Sequence, residues 1–357
     1  MTEKLDPSML LQLLKQAPES FALSDILELI NKPTLKLSPP SDRTIRRWLN
    51  ELSEQGLLIK TGSRKGTRYS LAAHQTTPNM LQFLQGLDTD IQISTLKQIR
   101  NLWTHTSTAL EGNTLSLGDT KFILDEGLTI SGKPLKEHQE IYGHASAIEL
   151  IYQNLNQAFT AESCFQLHLA IQTDRVTDIY KPNGAWKVEM NGTYAVNKKN
   201  QQVFIEYAHP LHTEKLMALF IEELNSLCKQ TLNLKDGIKA YAKIHMGFVH
   251  IHPFWDGNGR LARLIANIPL LKSGLPPIVI SQDERQQYIK ILADYQLKVG
   301  QLTPDSGVWP KTKLLTDFEQ FCDRSHKETR ELIEGAKKLQ EQRNKGTKEQ
   351  RNKGTKE

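Results

Sequence analysis

Long apolar runs are missing from this sequence. No stretch reaches the roughly 18 residues that a membrane helix needs, and the first residues are polar and mixed in charge, unlike a secretory signal. No membrane partner is therefore expected. Cysteine is scarce: Cys164, Cys228 and Cys322 are far apart and odd in number, with no CxxC or Cys/His ligand spacing. That excludes a disulfide framework and fits a reducing compartment, so the expected location is cytoplasmic, at home or inside a host cell. The body of the chain also lacks an excess of one charge. The net charge is +5, and residues 337–357 alone hold eight Lys/Arg against three Glu. The tail accounts for the whole surplus, so the overall basicity is no argument for nucleic acid. A length of 357 residues allows two domains with room for a small third one.

What is present begins with a helical N-terminal region. Apolar stripes run over Pro7 to Leu14 and Leu23 to Ile30. Ser41-Asp42 caps a third helix, Arg43 to Gln55, with Ile45, Trp48, Leu49 and Leu52 at helical spacing. Gly56 stops it. Leu57-Leu58-Ile59, a loop, and Arg68-Tyr69-Ser70-Leu71 then read as a strand–turn–strand wing. Between 36 and 70 there are eight basic and three acidic residues. Arg43, Arg46, Arg47, Arg64 and Lys65 are the candidate DNA contacts, with protein contact as the rival reading.

From Leu81 to about Phe321 the pattern is almost all helical. The exception is Gly184 to Tyr207, where short strands are expected around an Asn191-Gly192 hairpin turn. Lys311 to Gln340 reads as a charged helix. It leads into EQRNKGTK, repeated at 341–348 and 349–356, where low hydrophobicity predicts disorder.

The chemistry concentrates in His252-Pro253-Phe254-Trp255-Asp256-Gly257-Asn258-Gly259-Arg260. A helix over Gly237 to Val249 should end before it, because Pro253 disfavours helical geometry at His252. A new helix is expected over Arg260 to Leu271. The glycines let backbone N–H groups fold inward at that helix's N-terminus, which makes an anion cradle suited to phosphates. Arg260 and Arg263 share one side of the first turn and favour bidentate phosphate contacts. Asp256 offers a hard oxygen for Mg²⁺, and His252 is a base that titrates near neutrality. His245, His250 and His252 lack the local Cys or carboxylate that would complete a zinc set. A base, a metal carboxylate, a phosphate nest and two cations are what phosphoryl or nucleotidyl transfer needs.

This segment resembles the motif of the Fic family, His-Pro-Phe-x-Asp-Gly-Asn-Gly-Arg with a second Arg, here Arg263. The resemblance implies a mainly α fold: an all-helical Fic core with a short β-hairpin flap. The N-terminal region resembles a winged helix-turn-helix domain. The implied division is 1–75 winged helix, 76–105 linker and leading helix, 106–300 Fic domain, 301–340 C-terminal helices and 341–357 disordered tail.

The resemblance implies a protein adenylyltransferase that moves AMP from ATP to a Tyr, Thr or Ser hydroxyl of a target protein. His252 would be the base and Asp256 the Mg²⁺ ligand. Gly257, Asn258, Gly259, Arg260 and Arg263 would bind phosphates, Phe254 would plug the loop into the core, and Tyr288 would line the adenine pocket. Gly259, where a phosphorylating branch carries Lys, favours AMP transfer. Upstream, Ser107-Thr108-Ala109-Leu110-Glu111-Gly112-Asn113 resembles the family's autoinhibitory helix, expected at 106–112, with Ser107 and Glu111 inhibitory and Glu111 paired to Arg263. Removal of AMP by the same site stays open. So do a DNA-binding regulator whose core senses nucleotide, transfer of another phosphate-linked group, and a homodimer. In the flap, Lys187 replaces the family's usual Arg.

Overall fold

The computed structural model describes residues 3–5, 10, 13–14, 21–30, 37–38, 40–54, 58–61, 67–71, 81–173, 178–196 and 201–354, with side chains described to 345. The chain divides into two compact units, Met1–Thr77 and Pro78–Glu357.

In the first unit, helix α1 spans Leu23–Ile30 and α2 spans Asp42–Glu54. Ser41 accepts a hydrogen bond from the Thr44 N–H at the start of α2, and Ile45, Leu49 and Leu52 bury one face of it. These spacings place the apolar positions on a single stripe. Strands β1 (Glu3–Lys4) and β3 (Leu37–Ser38) pair in parallel. Strands β4 (Leu58–Thr61) and β5 (Arg68–Leu71) form an antiparallel hairpin. Phe21–Ala22, strand β2, adds to the free edge of β5. That third strand was not expected, since two residues are too few to show alternation. Gly56, Arg64, Lys65 and the linker up to Met80 lie outside the described residues.

Among the described residues, the second unit is helical apart from one hairpin. Its helices are α3 (Thr89–Ala109), α4 (Leu117–Glu126), α5 (Leu135–Gln153), α6 (Ala161–Ile171), α7 (Pro210–Cys228), α8 (Leu234–Ile251), α9 (Asn258–Ile265), α10 (Ile268–Lys272), α11 (Arg285–Val299), α12 (Thr316–Ser325) and α13 (Lys327–Gly354). Helix α8 is the axis. From Ala240 to Ile251 all its side chains are buried except half-buried Lys243, because α7, α9, α10 and α12 pack around it. A helix buried on every face belongs in the middle of a bundle, and this one ends in the core immediately before His252.

Several expectations need correction. The stretch Arg260 to Leu271 is two helices, broken at Asn267. Pro269 cannot continue the ladder, and the Asn267 amide holds the break by donating to the carbonyls of Arg263 and Ile278. The segment expected to form an inhibitory helix at 106–112 is not a separate helix: Thr106–Ala109 is the last turn of the 21-residue α3, and the turn after it carries Glu111.

Asn191-Gly192 is not the hairpin turn. Strands β6 (Gly192–Val196) and β7 (Gln202–Glu206) pair antiparallel, so the connection falls later, and Asn191 precedes the first strand. Gly192 is required there for proximity: an added Cβ would lie 2.5 Å from the Ile205 carbonyl oxygen.

The charged helix expected over Lys311 to Gln340 is a 3-10 turn and two helices. Phe318 and Phe321 of α12 are core residues. The tail expected to be disordered continues α13 to Gly354. Its Lys, Glu, Gln and Arg residues favour helix, and Arg343 anchors it through ion pairs to Asp88 and Asp90 at the start of α3.

Candidate active site

Helix α8 ends where its last N–H bond, from His252 to the Phe248 carbonyl, meets Pro253. The chain reverses by placing His252 at φ 53° and ψ 60°. Among the described residues it is the one non-glycine with positive φ, a conformation a side chain adopts only when the surroundings impose it. Phe254 then fills the core, fully buried, its ring stacked on His168 at 3.9 Å. Gly257, at φ 79°, starts α9.

Asn258 closes the loop on itself. Its Oδ1 accepts from the Phe254 N–H at 3.0 Å and its Nδ2 donates to the Phe254 carbonyl at 2.8 Å. What Asn258 leaves for an anion is its backbone at the helix N-terminus. Arg260 also faces inward, donating to the Ile171 carbonyl at 3.1 Å and to Asp256 at 2.9 Å. His168 completes the brace. Its Nδ1 accepts from the Gly184 N–H, so its Nε2 donates to the Asp256 carbonyl at 3.2 Å. Burial pushes the His168 pKa down to about 4, consistent with that neutral tautomer. Nothing in the sequence marks His168; it is an isolated histidine on α6.

The His252 ring is half-buried. Its Nδ1 lies 3.1 Å from the Val249 carbonyl. A carbonyl only accepts, so Nδ1 carries the proton and Nε2 keeps a free lone pair. Burial is the main cause that lowers the His252 pKa to about 3; the Val249 carbonyl opposes it and the Lys187 cation adds to it. The ring is therefore neutral at physiological pH, ready to accept a proton. Lys187 is itself buried beneath the loop, donating to Asn191 at 2.6 Å and to the Ile251 carbonyl at 3.2 Å. Desolvation pulls its pKa to about 7. Asn191 joins the flap to this loop by donating to the Phe254 carbonyl at 2.9 Å.

Arg263, on α9 and 2% exposed, has nearly all its donors occupied. Nε reaches the Ser107 hydroxyl at 3.0 Å and Nη2 the Ser107 carbonyl at 2.9 Å. Nη1 reaches the Tyr288 hydroxyl at 3.3 Å, and Nη2 also meets the Glu111 carboxylate at 2.7 Å. Glu111 follows the end of α3, and the chain turns there because Gly112 adopts φ 103°. Asn113 fixes the turn by donating to the Glu137 carbonyl and to Glu140 on α5. Arg285 holds it from the other side, its Nε 2.9 Å from the Leu110 carbonyl. The Glu111 carboxylate sits over Gly259, where an added Cβ would come within 2.5 Å of it. It therefore occupies ground at a helix N-terminus that favours anions.

A cavity of about 950 Å³ receives His252, Gly259, Arg263, Glu111 and Tyr288, with the flap and α11 as its walls. That is large enough for a nucleotide. Ser107 lies buried behind Arg263, while Asp256, Gly257, Asn258 and Arg260 form the bracing side of the loop. The Asp256 side chain is 67% exposed with one oxygen on Arg260. Among the described residues no three His, Cys, Asp or Glu side chains are grouped to hold a metal. Arg43, Arg46 and Arg47 belong to the first unit and are exposed on α2.

Residues 158–270 match the family model described as Fic/DOC family. Among curated proteins, protein adenylyltransferase fic-1 of Caenorhabditis briggsae is 30% identical over 207 residues, covering 57% of this chain and 38% of the relative. Protein adenylyltransferase Fic of Drosophila melanogaster is 32% identical over 188 residues, covering 52% and 35%. The chain thus spans well under half the length of these relatives. Among solved structures, a Fic domain containing signaling protein from Bacteroides thetaiotaomicron aligns with a TM-score of 0.60 at 26% identity, over 74% of this chain and 97% of that one. Fic-1 of C. elegans (residues 134–508) shares the fold with a TM-score of 0.54 at 21% identity, over 95% and 90%. The family match falls within the mainly helical second unit and takes in the loop from His252 to Arg263, so this part of the chain is similar to Fic/DOC domains.

Proposed function

We propose that this chain is a protein adenylyltransferase held in a restrained state by Glu111. The observation that carries the reading is one cavity that receives both the free Nε2 of His252 and the Glu111–Arg263 pair. In the proposed reaction a target Tyr, Thr or Ser hydroxyl enters between the flap and His252. Nε2 takes its proton, the oxygen attacks the α-phosphorus of ATP, and the bond to pyrophosphate breaks. Backbone N–H groups at the start of α9 and the Arg263 guanidinium oppose the phosphate charge. Asp256 would hold Mg²⁺, which neutralises charge developing on the phosphates. Tyr288 lines the nucleotide space. AMP removal would need His252 protonated, which burial of the ring opposes.

Incubation with α-labelled and, separately, γ-labelled ATP tests the reading. Label on protein from the α position alone is expected; label from the γ position would mean phosphorylation.

A second role is proposed for the first unit, as a winged helix-turn-helix domain that contacts DNA. It is supported by α2, which buries Ile45, Leu49 and Leu52 and exposes Arg43, Arg46 and Arg47. Arg46→Ala combined with Arg47→Ala in the full chain should weaken DNA binding and flatten its salt dependence by roughly one to two ion equivalents. An unmodified chain that shifts no DNA at low salt would assign that face to protein contact, a second copy of the chain included.

A further inference from the structure

The ring of His252 is held by more than its hydrogen bond. Tyr207 lies between β7 and α7, and its ring is parallel to the imidazole, with centroids 3.8 Å apart and planes 2° apart. Tyr207 is itself immobilised. It is 7% exposed, its N–H donates to the Asn191 carbonyl at 3.2 Å, and its carbonyl accepts from Gln301 at 2.9 Å. The Asn191 side chain also donates to the carbonyl of Phe254, so the tyrosine and the loop it stacks on are tied through one residue, by its backbone carbonyl and its amide. Both rings border the nucleotide cavity.

The bond from Nδ1 to the Val249 carbonyl fixes one ring atom. The outer torsion of a histidine side chain is broad, so one bond leaves the plane of the ring, and the direction of Nε2, loosely set. A parallel aromatic face removes that freedom. It also meets the charge that arises during the reaction. When Nε2 takes a proton, the imidazolium forms in a site where burial and Lys187 both disfavour it, and the face of an aromatic ring attracts a cation.

We propose that Tyr207 is a positioning residue for the base, its ring face setting the plane of the His252 imidazole so that Nε2 points at the incoming hydroxyl. The proposal rests on the adenylyltransferase reading above. It requires the ring of Tyr207 and not its hydroxyl, and it assigns Tyr207 no contact with ATP.

The test uses the full chain in a Glu111→Gly background, so that labelling is measurable. The rate of AMP labelling, of the chain itself and of lysate proteins, is titrated against ATP. Tyr207→Leu should lower the maximal rate by about 10²-fold, the scale of a misplaced reacting group, with the KM for ATP within about twofold of the parent. Tyr207→Phe should restore most of that loss. A Leu variant that works at the parent's rate, or a Phe variant as impaired as Leu, overturns the assignment.

Should the Leu variant fail to fold, the stack is read in the unmodified chain by NMR. The imidazole C–H protons of His252, identified by their loss in His252→Ala, should be displaced upfield by the tyrosine ring current, and ordinary shifts overturn the proposal. A parent that transfers no AMP from α-labelled ATP overturns the adenylyltransferase reading, and this assignment with it; ring shifts still report whether the stack exists.

Discussion

On the adenylyltransferase reading, His252→Ala is expected to lower AMP labelling by about 10³-fold, within the range a general base contributes, while the fold persists. The backbone at 252 is held by the Phe248 carbonyl and by the Asn191 amide, neither of which depends on the imidazole. Thermal unfolding should therefore stay close to that of the parent, and label retained at the parent's level would remove His252 from the mechanism.

The same residue sets the acid side of the pH profile. A base whose pKa is lowered is deprotonated above that pKa. With the His252 value pushed down to about 3, the rate should show no loss from this group between pH 8 and pH 5, where an ordinary histidine would already be mostly protonated. A limb near pH 6.5 that follows His252 would mean the ring is more hydrated in the working enzyme than in this state.

Glu111→Gly gives the opposite result: labelling of the chain and of lysate proteins rises by about 10²-fold. The carboxylate is 2.7 Å from the Arg263 guanidinium and rests over Gly259. A phosphate seated there must displace it or settle out of line, and misalignment alone costs about that factor. Removing the side chain frees one Arg263 donor while Ser107 and Tyr288 keep the guanidinium in place. Arg263→Ala should not mimic the release, because it removes the phosphate ligand together with the restraint. Unchanged labelling in Glu111→Gly would return Glu111 to an ordinary helix-end carboxylate.

The site was legible where chemistry forces particular residue types into a short run. Phosphate cradling needs glycines before a helix, and a loop base before proline needs a break in that helix, so residues 252–263 could be read from order alone. The pairing of Glu111 with Arg263 was legible only through resemblance, since nothing local links residues that far apart. Contacts with no compositional signature stayed hidden. His168 and Tyr207 act on the loop through ring faces and single hydrogen bonds, and any buried aromatic looks the same in sequence.

Asn191-Gly192 misled because the pair usually marks left-handed turn geometry. Here the asparagine bonds the loop that follows His252 and the glycine clears a neighbouring strand. The C-terminal repeat misled for a related reason. Low hydrophobicity argues against a core, but the repeat extends a helix already packed through Ile333 and Ala336, and Gln340 and Arg343 meet the start of α3.

Helix α3 runs for 21 residues, and from Thr106 to Leu110 its last turn is buried throughout. Hydrogen bonds to Asn113 and Arg285 hold the turn that follows on both sides. Fraying of the backbone beneath Glu111 would therefore expose that buried turn and break these bonds, whereas the side chain itself is 44% exposed. On the proposed reading, relief of inhibition is a rotamer change and not a melting of the helix. It is a side-chain swing, with an intrinsic timescale of picoseconds to nanoseconds for an exposed group, gated by whatever anion competes for Arg263. An inhibitory element of this kind needs no refolding step between one catalytic cycle and the next.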